Sequence, residues 1–184
     1  MTLLLSCILS FFPPAVSDSI VGTWSHTLVT TDATTQTVET QIVERTFQAD
    51  GTLHEVVTYL QRVRWIDDED VVLQFRGEVQ GRWFVDERNV VLHYTPRSLR
   101  VNYQGVSFPD HDDALQKRFR QAFEAKNSSN IRNYVKTMQH VLKQYFQRNN
   151  GTALTNVAFQ GSQFTATLGQ ETVAFQRVED FVVP

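Results

Sequence analysis

The sequence predicts a mainly-β domain in which an antiparallel meander closes into a barrel, with a pair of helices inserted before the last three strands. Threonine, valine and aromatic residues dominate from residue 20 to about residue 103, in short runs separated by polar clusters. The connections between these runs are only a few residues long, which favours antiparallel neighbours. Between residues 110 and 150 the apolar positions instead follow a helical period.

Composition limits the class of protein. The chain has 184 residues, of which 41% are hydrophobic and 20% charged, and its net charge is −3. These values indicate one globular domain with a core, and exclude a disordered tail, a collagen-like repeat and a polytopic membrane protein. The single cysteine, Cys7, excludes a disulfide scaffold. The negative charge provides no general attraction to nucleic acid, so no nucleic-acid partner is predicted.

The N-terminus is typical of an export signal. Residues 3–12 form an apolar run of ten that is too short to span a bilayer. A double proline and small residues follow, so a signal peptide over residues 1–17 is predicted, with cleavage after Ser17. Residues 18–184 then form one domain that is secreted or periplasmic. A lipid anchor on Cys7 and a buried strand are the weaker alternatives.

The first half of the chain predicts six strands. Asp50-Gly51 is the strongest hairpin signal, because both central residues of such a turn need a positive φ. An acidic turn at residues 67–70 cannot be buried cheaply and marks another connection. The predicted strands cover residues 20–30, 37–49, 52–65, 71–75, 78–85 and 89–95.

Two amphipathic helices are predicted next. The first covers residues 110–126, and Asn127-Ser128-Ser129 is expected to break it. The second continues to Asn150-Gly151, where glycine suits a helix C-terminus. Its apolar stripe consists of Ile131, Tyr134, Val135, Met138, Val141, Leu142, Tyr145 and Phe146. Faces this apolar must pack on each other, on the sheet or on a partner.

Three strands, at residues 154–159, 163–168 and 171–178, complete the predicted fold. Turns at Gly161 and Gly169 separate them. Apolar and polar residues alternate along them, as expected of half-buried strands. About nine strands in one small domain should form a sandwich or close into a barrel.

Three motifs resemble those of lipocalins and of the smaller bacterial lipocalin-like (calycin) domains. They are Gly22-Thr23-Trp24 in the first strand, the Phe47 and Asp50–Thr52 hairpin, and the late Arg177. In lipocalins the arginine lies across the first-strand tryptophan at the closed end of the barrel. The resemblance therefore implies a barrel in which Gly22, Trp24 and Arg177 form a structural motif, and an exported protein that binds a small hydrophobic ligand. It does not extend to residues 110–150.

Aromatic residues provide a candidate lining for that ligand's pocket. Which of them face inward depends on register, because a slip of one residue inverts every side chain of a strand. Trp65, beside the acidic turn, is expected at a rim. The candidate pocket residues are Tyr59, Trp83, Phe84, Tyr94, Phe159, Phe164 and Phe175.

The helical segment differs in charge from the rest of the chain. Residues 111–148 carry a net charge of +5 and all four lysines, whereas the remainder carries −8. A solvated helix face docked on an acidic barrel explains this. The alternative function is an interaction module, in which a filled barrel presents the helices to an acidic partner or an anionic membrane surface. The residues for such a contact are Lys117, Arg118, Arg120, Lys136 and Lys143.

The sequence predicts no enzyme. Ser25-His26 lacks the glycines of a nucleophile elbow, and the predicted mature chain has no cysteine. His26, His54 and His93 lie on three candidate strands and could converge on zinc together with a glutamate, Glu44 or Glu55. Scattered histidines are the simpler interpretation. No catalytic residue, metal or cofactor is therefore predicted.

Overall fold

The computed structural model describes residues 16–32, 37–64 and 70–178. The predicted signal peptide lies almost wholly outside these ranges, as does Trp65, and that peptide stays a prediction. The described helices are α1 (Val16–Ile20) and α2 (Asp113–Arg148), and a 3-10 turn covers Pro96–Ser98. The strands are β1 (Gly22–Asp32), β2 (Thr37–Phe47), β3 (Thr52–Arg64), β4 (Asp70–Asp86), β5 (Asn89–Tyr94), β6 (Arg100–Ser107), β7 (Thr152–Gln160), β8 (Gln163–Leu168) and β9 (Glu171–Arg177).

The strands form a closed antiparallel barrel, which confirms the predicted fold class. Their order is β3-β2-β1-β9-β8-β7-β5-β4, and pairing of β3 with β4 closes the ring of eight. The ninth described strand, β6, pairs with β4 outside this ring. All these pairings are antiparallel, as the short connections predict.

One long strand corrects the prediction of two. β4 has 17 residues, where the sequence predicted separate strands at 71–75 and 78–85. It pairs with β3 from Asp70 to Arg82, while its other edge pairs first with β6 and then with β5. The first half of β4 therefore belongs to a sheet extension, formed by β3, β4 and β6, that projects beyond the closed ring.

The seam between β1 and β9 joins the two ends of the described chain. Trp24 lies opposite Arg177 in the ladder, and the Arg177 Cζ lies 4.9 Å from the centre of the indole ring. Arg177 Nη2 also donates to the Val21 carbonyl at 2.5 Å. Gly22 has a φ of +132°, and a Cβ there would lie 2.9 Å from Arg177 Nη2, so this close approach requires glycine.

A single helix replaces the predicted pair. α2 runs for 36 residues, a length of about 54 Å, without a break at Asn127-Ser128-Ser129. Asn127 is buried, and its Nδ2 donates back to the Phe123 carbonyl at 2.9 Å, so the helix accommodates a residue that usually favours turns. At the N-terminus, Asp112 Oδ1 accepts from the Leu115 amide at 2.9 Å. Within the described residues, no helix is apolar enough over a sufficient length to cross a bilayer.

The helix covers both parts of the sheet. Its first half packs on the sheet extension, where Phe123 contacts Phe108. Its second half inserts Leu142 and Phe146 into the core of the barrel, with Phe146 packed against Tyr94. α2 thereby lies across the inner face of the sheet and borders a cavity there.

Candidate functional site

A cavity of about 350 Å³ lies between the second half of α2 and the inner face of the barrel. Most of its walls are apolar side chains from β2, β3, β8, β9 and the helix. Leu28, Val141 and Tyr145 line it as well and are each at least 40% exposed, so they mark its opening to solvent. The main wall residues are Val43, Val57, Met138, Leu142, Leu168 and Val173.

A buried ion pair lies next to the cavity: Glu55 is one of its wall residues, and Arg45 contacts Glu55. Arg45 and Glu55 are opposite each other on β2 and β3, and each is 1% exposed. Arg45 Nε contacts Glu55 Oε2 at 2.5 Å, and the Tyr94 hydroxyl donates to the same oxygen at 2.8 Å. Burial alone would lower the pKa of Arg45, but the Glu55 carboxylate raises it well above its ordinary value. Arg45 therefore stays charged, with the Glu55 side chain as its partner.

Tyr145, on α2, interacts electrostatically with this ion pair. It lines the cavity, and burial together with the Glu55 carboxylate raises the pKa of its phenol. Burial raises the pKa of the Tyr94 phenol in the same way. Both phenols are consequently neutral at physiological pH.

His26, on β1, is one of the polar residues that line the cavity, with Gln41, Glu55, Tyr59, Asn149 and Glu171. Its ring is 8% exposed, lines the cavity and packs edge-on against Phe175, with ring centres 4.8 Å apart. Burial and the positive charge of Arg45 lower the pKa of His26 to about 4. The imidazole is therefore neutral at pH 7, with one nitrogen that donates and one that accepts.

Two buried nitrogen atoms have no hydrogen-bond partner among the described residues: Nδ1 of His26, which lines the cavity, and Nη1 of Arg45, which does not. A buried polar group left unsatisfied costs about 1–3 kcal/mol. The cavity can therefore accommodate an apolar molecule and form a hydrogen bond with a polar group through His26.

The side of the cavity is closed by a second, fully bonded network. The Tyr59 hydroxyl donates to Glu39 Oε2 at 2.8 Å and accepts from Gln41 Nε2 at 3.0 Å. Burial and Glu39 raise the pKa of Tyr59 to about 12. The Tyr59, Glu39 and Gln41 side chains already have hydrogen-bond partners in each other, and they form a rim of the cavity.

The structure places one of the predicted pocket residues, Tyr59, in the wall of the cavity. Tyr94 and Phe175 do not line it but contact residues close to it. The Tyr94 hydroxyl donates to Glu55, and the Phe175 ring packs against His26 and Arg45.

The other four predicted pocket residues lie elsewhere. Phe159 and Phe164 pack against Trp24 in the core. Trp83 is buried at the hairpin end of the barrel, and its Nε1 donates to the Gln48 carbonyl. Phe84 follows Trp83 in β4, so it points outward and is 47% exposed.

The three strand histidines do not converge. His26 is inside the barrel, whereas His93 is exposed and stacks on Phe84, and His54 alternates with the buried Leu53 and Glu55. In the part of the chain that the structure describes, no group of three or more His, Cys, Asp or Glu side chains could hold a metal ion.

The basic residues of α2 lie mainly on its outer surface. Lys117, Arg118, Lys136 and Lys143 are exposed. Arg120 is also exposed, but its Nε donates to the Val106 carbonyl on β6 at 3.0 Å and helps to hold the helix on the sheet.

Neither Arg45 as a site residue nor the ion pair that it forms was predicted from the sequence. A signal was present in the alternation: Arg45 shares its parity with Val43 and Phe47, and Glu55 shares its parity with Leu53 and Val57. A charge at an inward position on each of two paired strands indicates a buried pair.

Comparison of the sequence with protein-family models and with curated proteins gives no match.

Proposed function

We propose that this chain is a lipocalin-like binding protein that holds a small hydrophobic ligand between the barrel and α2. The observation that carries the proposal is the cavity of about 350 Å³ with apolar walls and an opening to solvent. Ligand pockets occupy about 300–1,000 Å³, so this one is at the small end of the range. At about 30 Å³ for each non-hydrogen atom, as in liquids, it fits a ligand of about a dozen such atoms.

Two further features support this proposal. The barrel is closed, and its first-strand tryptophan lies under a guanidinium from the last strand, the arrangement that the lipocalin resemblance implies. The export signal predicted at residues 1–17 would place the protein outside the cytoplasm, where lipid-like molecules need a carrier.

A dye titration with a cavity-blocking variant tests the proposal. Val173 lines the cavity, so Val173→Trp should fill it and weaken binding of an environment-sensitive hydrophobic dye at least tenfold. The matched control is Val29→Trp, because Val29 is 64% exposed on β1. Native mass spectrometry of the unmodified protein should also detect a bound small molecule. Equal dye affinity in both variants would contradict a ligand site in this cavity.

A second candidate function has its own supporting observation. The exposed Lys117, Arg118, Lys136 and Lys143 all lie on α2, in a protein that is acidic elsewhere. Under this alternative the helix binds an acidic partner or an anionic membrane surface. Replacing the three lysines by glutamate should abolish sedimentation with phosphatidylserine vesicles at low salt and leave dye binding unchanged. Sedimentation that survives this change would refute the membrane alternative.

A further inference from the structure

The seam between β1 and β9 is paired at one end and open at the other. Among the described residues, its ladder consists of two pairs, Trp24 with Arg177 and Ser25 with Gln176. Beyond this ladder β1 continues to Asp32, and the two strands are not paired with each other. The unpaired parts of both strands line the cavity, which therefore opens to solvent between these strands and α2.

Glu171 lies at this opening, at the start of β9. Its side chain is exposed and belongs to the wall of the cavity. It has the same parity along the strand as Val173, which is also a wall residue. None of the side-chain hydrogen bonds and ion pairs between described residues involves its carboxylate. Glu171 can therefore bind a ligand group at the opening.

The charged residues of the cavity wall favour a cation over an anion. They are Glu55 and Glu171, and the described wall contains no lysine or arginine. Glu55 already contacts Arg45. Burial and the positive charge of Arg45 lower the pKa of His26, and the same charge disfavours a second cation near that ring. A cationic ligand group is consequently stabilised at Glu171.

His26 provides a different contact, well separated from this carboxylate. It is 8% exposed and lines the cavity, and its Nδ1 has no hydrogen-bond partner among the described residues. Its ring packs on Phe175, which lies about 13 Å along β9 from Glu171. Nδ1 of a neutral imidazole either donates or accepts, and a hydroxyl satisfies it in both cases.

Resting on the function proposed above, we infer that the ligand is a compact apolar amine, with its ammonium group at Glu171 in the opening and a hydroxyl at its other end toward His26. An aliphatic amine is protonated at pH 7, so its charge is complementary to the carboxylate. At the opening the ammonium group keeps part of its hydration, which avoids the cost of burying an ion. The apolar body lies against Val43, Val57 and Val173. The ligand class is that of small phenolic and hydroxyalkyl amines.

Four molecules of similar shape test this inference in the unmodified protein. Tyramine has both end groups, phenethylamine lacks the hydroxyl, para-ethylphenol lacks the amine, and para-hydroxyphenylpropionate replaces the amine by a carboxylate. Their affinities are compared at pH 7 and low salt by displacement of the hydrophobic dye. Because an exposed ion pair is weak, we expect tyramine to bind about fivefold more tightly than para-ethylphenol, and the carboxylate to bind most weakly. The loss of one hydrogen bond should also weaken phenethylamine about fivefold. Added salt should reduce the advantage over para-ethylphenol.

Two variants assign the two ends of the ligand. Glu171→Gln should remove the advantage of tyramine over para-ethylphenol. The matched control is Glu78→Gln, because Glu78 is 39% exposed on β4 and is not a wall residue of the cavity. His26→Leu should instead remove the advantage of tyramine over phenethylamine and leave the preference for the amine unchanged.

The outcomes separate this inference from the function on which it rests. If para-ethylphenol binds as tightly as tyramine, or if Glu171→Gln leaves their ratio unchanged, the ammonium contact is wrong. If phenethylamine equals tyramine, the hydroxyl contact is wrong, and if the carboxylate binds most tightly, so is the sign of the charge. If none of the four displaces the dye although Val173→Trp weakens its binding, the inference fails and a ligand cavity remains. If Val173→Trp has no effect either, the proposed function itself fails. The comparison in the unmodified protein decides even if a variant does not fold.

Discussion

The buried pair formed by Arg45 and Glu55 makes a quantitative prediction about stability. Glu55→Gln keeps the size of the side chain and an acceptor for Arg45 and Tyr94, but it leaves the arginine charge uncompensated at 1% exposure. Breaking a buried pair in this way costs about 3–5 kcal/mol. At about 2–4 °C of melting temperature for each kcal/mol in a domain of this size, the variant should melt about 10 °C lower.

The molecule contains a matched control for this substitution. Arg76 Nε and Glu78 Oε1 are 2.8 Å apart, a similar distance, but their side chains are 43% and 39% exposed. Glu78→Gln should therefore cost less than about 1 kcal/mol. Urea denaturation followed by tryptophan fluorescence measures both variants, and far-ultraviolet circular dichroism confirms that each is folded before denaturation.

A third variant separates the cost of an unpaired charge from the value of the pair. Replacing both partners, as Arg45→Met with Glu55→Leu, should restore most of the stability that Glu55→Gln removes, because no buried charge remains. If Glu55→Gln and Glu78→Gln lower the free energy of unfolding equally, solvent reaches Arg45 and the ion pair with Glu55 is not buried.

Three further predictions concern other parts of the barrel. Because the pKa of His26 is lowered from 6.5 to about 4, the unfolded chain takes up a proton between these pH values that the folded protein does not. The free energy of unfolding should fall by up to about 3 kcal/mol as the pH drops through this window, and His26→Leu should lose that slope in urea titrations at several pH values. Gly81→Ala would place a Cβ 2.4 Å from the His93 carbonyl oxygen, a backbone atom, and should destabilise the protein by about 3 kcal/mol or leave it unfolded; normal thermal melting would contradict this geometry. Arg177→Met removes the cation over the Trp24 indole and the bond to the Val21 carbonyl, and should cost about 1–2 kcal/mol, whereas an unchanged denaturation midpoint would show that the seam does not depend on it.

Local pattern located the eight strands of the ring because each has one face inside the barrel and one outside, but it did not predict β6, which lies outside the ring. Asp50-Gly51 also lies in a hairpin connection, between Phe47 and Thr52, where Asp50 Oδ1 accepts from the Thr52 amide. Gly51 has a φ of +81° but Asp50 has no positive φ, so the predicted turn with two positive φ values is wrong in this detail. The sequence predicted a break between two strands near Gly77, but β4 continues through this residue because of a tertiary contact. A Cβ at this position would lie 2.9 Å from the Leu142 side chain, so the glycine makes room for the helix inside a continuous strand.

The helix shows the limit of local rules in another way. Asn127-Ser128-Ser129 has low helical propensity, but the side chains on either side pack on the same sheet, and Asn127 is satisfied by its own helix. Packing along the whole sheet face outweighs a cost of a few tenths of a kcal/mol for each residue. The polar groups in and beside the cavity could be found only by combining the facing of three strands, since His26, Arg45 and Glu55 are far apart in sequence and belong to no recognised motif.

The seam between β1 and β9 also determines when this protein can fold. Its pairing partners, Trp24 and Arg177, are separated by almost the entire described chain, so a ribosome must synthesise nearly all of the protein before the ring can close. Until then β1 has an unpaired edge that can associate with the strands of other molecules. Pairings over such long sequence separations form slowly because a large loop must be closed first. Late closure therefore leaves this edge exposed in the nascent chain, and closure of the ring should coincide with burial of Trp24.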